Sequence, residues 1–221
     1  MTAATVTLLI ATLLDDKGTV AQRNDACYGL RGSRSPEVVA ALRHAMTDPA
    51  VRTCAARDLR EAGAVDELVD ALGSADAETR IAAAHELGEL REPKALEALG
   101  AAALDANPLV RAAAAGALGG YEGRAALTLL LRAGALEQAA RFRDPAVLPL
   151  ARSTLATGDA AGKLIAMSVL MDLGDATDLP KLREIAAKPE VLESRGRGFG
   201  FMPAIDLARV AKNTMAAIEA R

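Results

Sequence analysis

The chain has 221 residues, enough to bury a substantial core, and its formal charge of −3 with a pI of about 5.5 argues against a general nucleic-acid binder, which needs a basic footprint on phosphates. Alanine supplies about a quarter of the residues and leucine is the other dominant apolar type, whereas there are two Tyr, three Phe and no Trp. Sheet builders are therefore scarce and helix formers abundant, and no run of about 20 apolar residues is present to span a membrane.

An alanine-rich core has few bulky anchors, so it must pack helices closely along a long contact line, as stacked helical hairpins do. The first element, near residues 2 to 14, is apolar over Thr5–Leu14. It lacks a basic leader and a small-residue cleavage site, so it reads as a starting helix rather than a signal peptide.

From there a repeat runs along the chain. Arg23, Arg52, Arg80, Arg111 and Lys163 are each followed, three, four and seven positions later, by small residues and then a leucine. The sets are Ala26, Cys27 and Leu30; Ala55, Ala56 and Leu59; Ala83, Ala84 and Leu87; Ala114, Ala115 and Leu118; Ala166, Met167 and Leu170. Those offsets place every member on one stripe of a helix. Successive anchors lie 29, 28 and 31 residues apart and then 52, so the last gap holds a shortened, degenerate unit near 134 to 157.

Asp48-Pro49, Asp76, Asn107-Pro108 and Asp159 precede the anchors by four residues and are expected to cap the first helices. Gly63, Gly119, Gly120 and Gly174 mark the stops. A second helix follows each first one. The stripes are Val38, Val39, Ala41 and Leu42; Val65, Leu68, Val69 and Leu72; Leu96, Leu99 and Ala103; Leu127, Leu130 and Leu131; Val147, Leu148 and Leu155; and Leu179, Leu182 and Ile185.

The pattern D-x-x-V-R-x-x-A-A-x-x-L, as in Asp48 to Leu59, resembles the HEAT repeat, and more specifically the HEAT-like repeats first described in phycobilisome lyases. The resemblance covers roughly residues 19 to 187. It implies an all-α fold, an α-solenoid of about six stacked hairpins in a single domain. Residues 1–18 hold the N-terminal helix, 19–187 the repeats, 188–202 a Gly/Arg loop and 203–221 a capping helix. It also implies that the repeated Asp and Arg residues form a ladder between neighbouring repeats.

The resemblance spans scaffolds and enzymes, so chemistry has to be sought in particular residues. Deoxyhypusine hydroxylase, on this fold, binds iron through several His-Glu pairs; here there is one, His85-Glu86, and the only other histidine is His44. A di-iron site cannot be assembled from them. DNA glycosylases of the family use a basic groove with aromatics, which this chain lacks. No Ser-His-Asp or Cys-His constellation, P-loop or CxxC is present. No catalytic, cofactor or metal residue is therefore assigned. Cys27 and Cys54 occupy equivalent parts of consecutive repeats and read as buried reduced thiols of a cytoplasmic protein, a disulfide between the repeats being the alternative.

Charge then locates a binding surface. Residues 55–105 carry 12 acidic and 5 basic side chains, whereas 106–163 carry 4 acidic and 7 basic. Asp66, Glu67, Asp70 and Glu97 fall on second helices, which in this family usually line the concave face, and Arg124, Arg132 and Arg152 on those that follow. Together they predict a bipolar groove for a protein or peptide partner. The run Arg195-Gly-Arg-Gly-Phe-Gly-Phe-Met-Pro203 breaks the repeat, and Arg195, Arg197, Phe199 and Phe201 make it a second candidate contact or a cover for the last repeat. The function expected is a non-catalytic scaffold or adaptor. The alternative is a bilin-lyase-like enzyme or chromophore chaperone whose arginines would meet propionates.

Overall fold

A computed structural model describes residues 1–188, 190–192 and 204–221. The chain divides into two compact units, Met1–Ala133 and Gly134–Arg221. Both are built from consecutive helices that stack as hairpins, the α-solenoid class expected.

In the first unit, α1 (Ala3–Leu14) packs on α2 (Val20–Leu30) and α3 (Pro36–Ala45). Next come the hairpin of α4 (Arg52–Ala62) and α5 (Val65–Ala71) and that of α6 (Ala77–Leu90) and α7 (Leu96–Ala102), the latter entered through a 3-10 turn at Pro93–Ala95. The pair α8 (Pro108–Leu118) and α9 (Arg124–Arg132) completes it. First helices stack on first helices, α2 on α4, α4 on α6 and α6 on α8, while α3 meets α5 and α7 meets α9.

The second unit opens with the degenerate repeat. Its first helix, α10 (Leu136–Ala140), is only five residues long, and its second is α11 (Leu148–Thr157), with Pro149 in the first turn as its ring requires. The hairpin of α12 (Ala160–Leu173) and α13 (Leu179–Ala186) follows, and α14 (Leu207–Glu219) packs on both. A short antiparallel pair, β1 (Val191–Leu192) with β2 (Ile205–Asp206), precedes α14 and was not anticipated. The capping helix starts at 207 rather than 203 because Asp206 is its N-cap, accepting the Ala208 N–H at 2.9 Å. No described helix is long and apolar enough to cross a membrane.

The predicted stripe is the core. Leu30, Leu59, Leu87, Leu118 and Leu170 are all fully buried, and the paired small residues between each anchor and its leucine are buried with them. Close helix approach follows from those small residues: a Cβ added at Gly88 on α6 would lie 2.9 Å from both Cα and Cβ of Ala117 on α8. Gly100 on α7 is likewise pressed against Leu129 of α9. Asp76, Asn107 and Asp159 cap their helices through the N–H groups of Thr79, Leu109 and Gly162. Asp48 does not cap α4. Its carboxylate takes the Ala50 N–H at 2.8 Å in a turn, and the helix begins a turn later with Val51 at the N-cap. Gly63 ends α4 in the left-handed conformation that glycine favours.

The ladder runs along the first helices. Arg23 pairs with Asp48, Arg52 with Asp76 at 2.7 Å, and Arg80 with both oxygens of Asp105 at 2.9 and 3.0 Å. The third step uses Asp105 instead of Asn107, because a neutral amide cannot return the charge. In the second unit Lys163 reaches Glu190 at 2.8 Å.

Candidate functional site

The second helices carry a ladder of their own. Asp70 on α5 faces Arg43 on α3 at 3.7 Å, and Asp66 on α5 accepts from the Lys94 ammonium at 2.9 Å, in the turn before α7. The two carboxylates are 69% and 81% exposed. On the first-helix side, by contrast, Arg80 and Asp105 are 15% and 16% exposed, and two backbone carbonyls, Ser74 and Ala75, complete the guanidinium's bonding. Arg80 holds the Asp105 carboxyl below the usual carboxylate range, the Asn107 N–H adding to the effect. The Arg80–Asp105 pair is locked, whereas the Asp66 and Asp70 pairs lie in water.

The predicted acidic residues thus sit together in the first unit. Asp66, Glu67 and Asp70 lie on α5, and exposed Glu97 lies on α7. Arg124 and Arg132, both exposed, open and close α9 of the same unit. Arg152 belongs to the second unit. There its guanidinium donates to Asp178 at 2.8 Å and to Asp175 at 3.0 Å, so its charge serves the junction of α11 with the turn before α13. The hydrogen bond from the Thr177 hydroxyl is the main reason the Asp175 carboxyl is held low, with Arg152 adding to it. Arg195, Arg197, Phe199 and Phe201 lie outside the described residues.

A second constellation adds Asp58, which the sequence did not single out, to the two cysteines. Cys27 of α2 and Cys54 of α4 form a disulfide, where reduced thiols were expected. The repeat register sets the two side chains opposite one another across adjoining first helices, as their equivalent places in consecutive repeats allow. Beside the sulfurs is Asp58, four residues beyond Cys54 and wholly buried. Its Oδ2 lies 3.4 Å from the Cys27 sulfur and 3.7 Å from the Cys54 sulfur, while Oδ1 has no hydrogen-bond partner. The Arg31 and Arg57 guanidiniums approach Oδ1 at 3.5 and 4.0 Å and both lie over the Tyr28 ring. Burial pushes the Asp58 carboxyl up, against the pull of Arg31. One signal was legible: a C-x-x-x-D spacing on a helix puts both side chains on the same face.

Residues 65–135 match the family model for HEAT repeats. No curated protein matches the chain. Among solved structures it is similar to human deoxyhypusine hydroxylase in complex with glycerol, at 20% identity over 98% of this chain and 96% of that one, with a TM-score of 0.39. It is similar to the complex of CpcE and CpcF of phycocyanin lyase from Nostoc sp. PCC7120, at 21% identity over 96% and 94%, with a TM-score of 0.39. It is also similar to a designed armadillo repeat protein in complex with the peptide (KR)4, at 18% identity over 97% and 98%, with a TM-score of 0.40.

Proposed function

We propose that this chain, whose residues 65–135 are HEAT repeats, is a non-catalytic scaffold that holds a protein or peptide partner on its row of second helices. One observation carries the reading, the contrast between the two ladders. The Arg80–Asp105 pair of the first helices is mostly buried and backed by carbonyls, so breaking it would leave charges poorly solvated. The Arg43–Asp70 and Asp66–Lys94 pairs are exposed, and exposed pairs contribute only ~0–1 kcal/mol. A partner can exchange such pairs for its own charges at little cost and gain a fixed register from their alternating sign along α3, α5 and the turn before α7. Arg124 and Arg132 on α9 extend the row in the basic direction.

Charge reversal tests the reading. Asp66→Lys with Asp70→Lys should abolish capture of the partner taken by the wild-type chain while leaving the helical circular dichroism unchanged. Reversal of Glu78, exposed on α6 of the other row, should leave capture intact. Capture of the same partner at undiminished yield by the Asp66→Lys/Asp70→Lys variant would overturn it. A chain that instead binds added bilin, with a change in visible absorbance, would favour the lyase-like alternative.

A further inference from the structure

We propose that Cys27, Cys54 and Asp58 form a proton-coupled thiol–disulfide site whose cofactor is a small dithiol/disulfide couple. Asp58 carries its proton when the sulfurs are joined and gives it up when they are separate thiols.

The argument begins with what the atoms can donate. A disulfide has no S–H, so Asp58 Oδ2, at 3.4 and 3.7 Å from the two sulfurs, receives no hydrogen bond from them. Oδ1 has no hydrogen-bond partner either, and the side chain is wholly buried. An ionised carboxylate so placed has only the long contacts of Arg31 and Arg57 on Oδ1, at 3.5 and 4.0 Å, to offset its burial, whereas a protonated one can point its O–H at a sulfur. Once the bond is cleaved, two S–H groups face the same oxygen and can donate to it, which favours the ionised form. The charged groups facing Asp58 are Arg31 at the end of α2 and Arg57 and Glu61 on α4; among the described residues, none from α3, α5 or α6 comes within ion-pair distance of it. Arg31 and Arg57 remain to balance the carboxylate.

The reduction balances as follows. A thiolate of the dithiol attacks the sulfur of Cys54, a residue 3% exposed where Cys27 is 0% exposed. The S–S bond breaks and its electron pair leaves on the Cys27 sulfur, which takes the proton of Asp58. The dithiol's second thiolate then displaces the Cys54 sulfur, which is protonated from solution, and the reagent leaves as a cyclic disulfide. The dithiol is oxidised, the protein disulfide is reduced, and one proton is released overall.

The test equilibrates the full-length chain with reduced and oxidised dithiothreitol in set ratios between about pH 5 and about pH 7.5, where ordinary thiols stay protonated. Free thiols are trapped by alkylation and counted by mass. Both thiols should appear together, and the equilibrium should move toward the dithiol form as pH rises, by up to about tenfold per unit for one proton released. In Asp58→Asn the same equilibrium should be flat with pH. If that variant does not fold, proton release on reduction of the wild type in weakly buffered solution decides, approaching one per disulfide at some pH in the range. A flat wild-type equilibrium, a slope retained in a folded Asp58→Asn chain, no proton release, or failure of oxidised dithiothreitol to form the bond would each overturn the assignment.

Discussion

If an alanine-rich chain stacks its hairpins by letting helix backbones approach, the contact of α6 with α8 should tolerate no added atom. Gly88→Ala places a methyl 2.9 Å from Cα and Cβ of Ala117, where ordinary contact begins at 3.4 Å. The obstacle is partly backbone, so no side chain can swing aside and the helices must part. Overpacking of this kind costs about 1–3 kcal/mol, against which alanine gains about 1 kcal/mol over glycine within a helix. The net is a loss of up to about 2 kcal/mol. Gly116, on α8, supplies the comparison, because a Cβ there meets nothing within 4 Å. Gly116→Ala should raise stability by up to about 1 kcal/mol, so the two variants should differ by about 1–3 kcal/mol. Urea unfolding followed by circular dichroism measures both through their midpoints. If Gly88→Ala stabilises as much as Gly116→Ala, the close-approach account of this core is wrong.

Other consequences follow from the ladders and the core. Arg80→Ala should lower the melting temperature more than Arg43→Ala, since only the former strips a half-buried carboxylate and two carbonyls of their donor; equal shifts in calorimetry would remove the distinction between the rows. Asp48, Asp76, Asp105 and Asp175 all titrate below the ordinary carboxylate value. Their contribution is therefore present above about pH 4 and lost as pH falls through their lower folded-state values, which acid titration of the folded signal should show as a steep decline there rather than near neutrality. Tyr121→Phe removes a buried hydroxyl that bonds the carbonyl of Leu87 or Glu92 at 3.2 Å, and should cost about 0.5–1.5 kcal/mol in urea unfolding.

The first-helix register was legible because helical periodicity and the four-residue lead of acid over base are both local. Arg52 and Leu59 needed only their own turns to be placed, and the fully buried leucines follow. The ladder followed from the resemblance to HEAT-like repeats, and its third step, through Asp105 in place of Asn107, did not show in the repeat pattern. Asp58 was not legible as a buried group: within α4 it reads as an ordinary polar residue, and only the packing of α2 across it removes it from water. The same register decides the Cys27–Cys54 pairing. The start of α4 was misplaced because Asp48 satisfies a turn and the Arg23 guanidinium at once, leaving the helix to begin without a side-chain cap. The candidate row was legible as charge on second helices. What Asp66 and Asp70 touch was not, since Lys94 and Arg43 come from neighbouring repeats.

The most direct test of the scaffold reading is affinity capture with wild-type and Asp66→Lys/Asp70→Lys chains side by side, bound proteins being quantified by mass spectrometry. A defined partner recovered with the wild type and lost with the charge-reversed chain, at equal folded content, is the result predicted. The same partner recovered equally by both chains would contradict it.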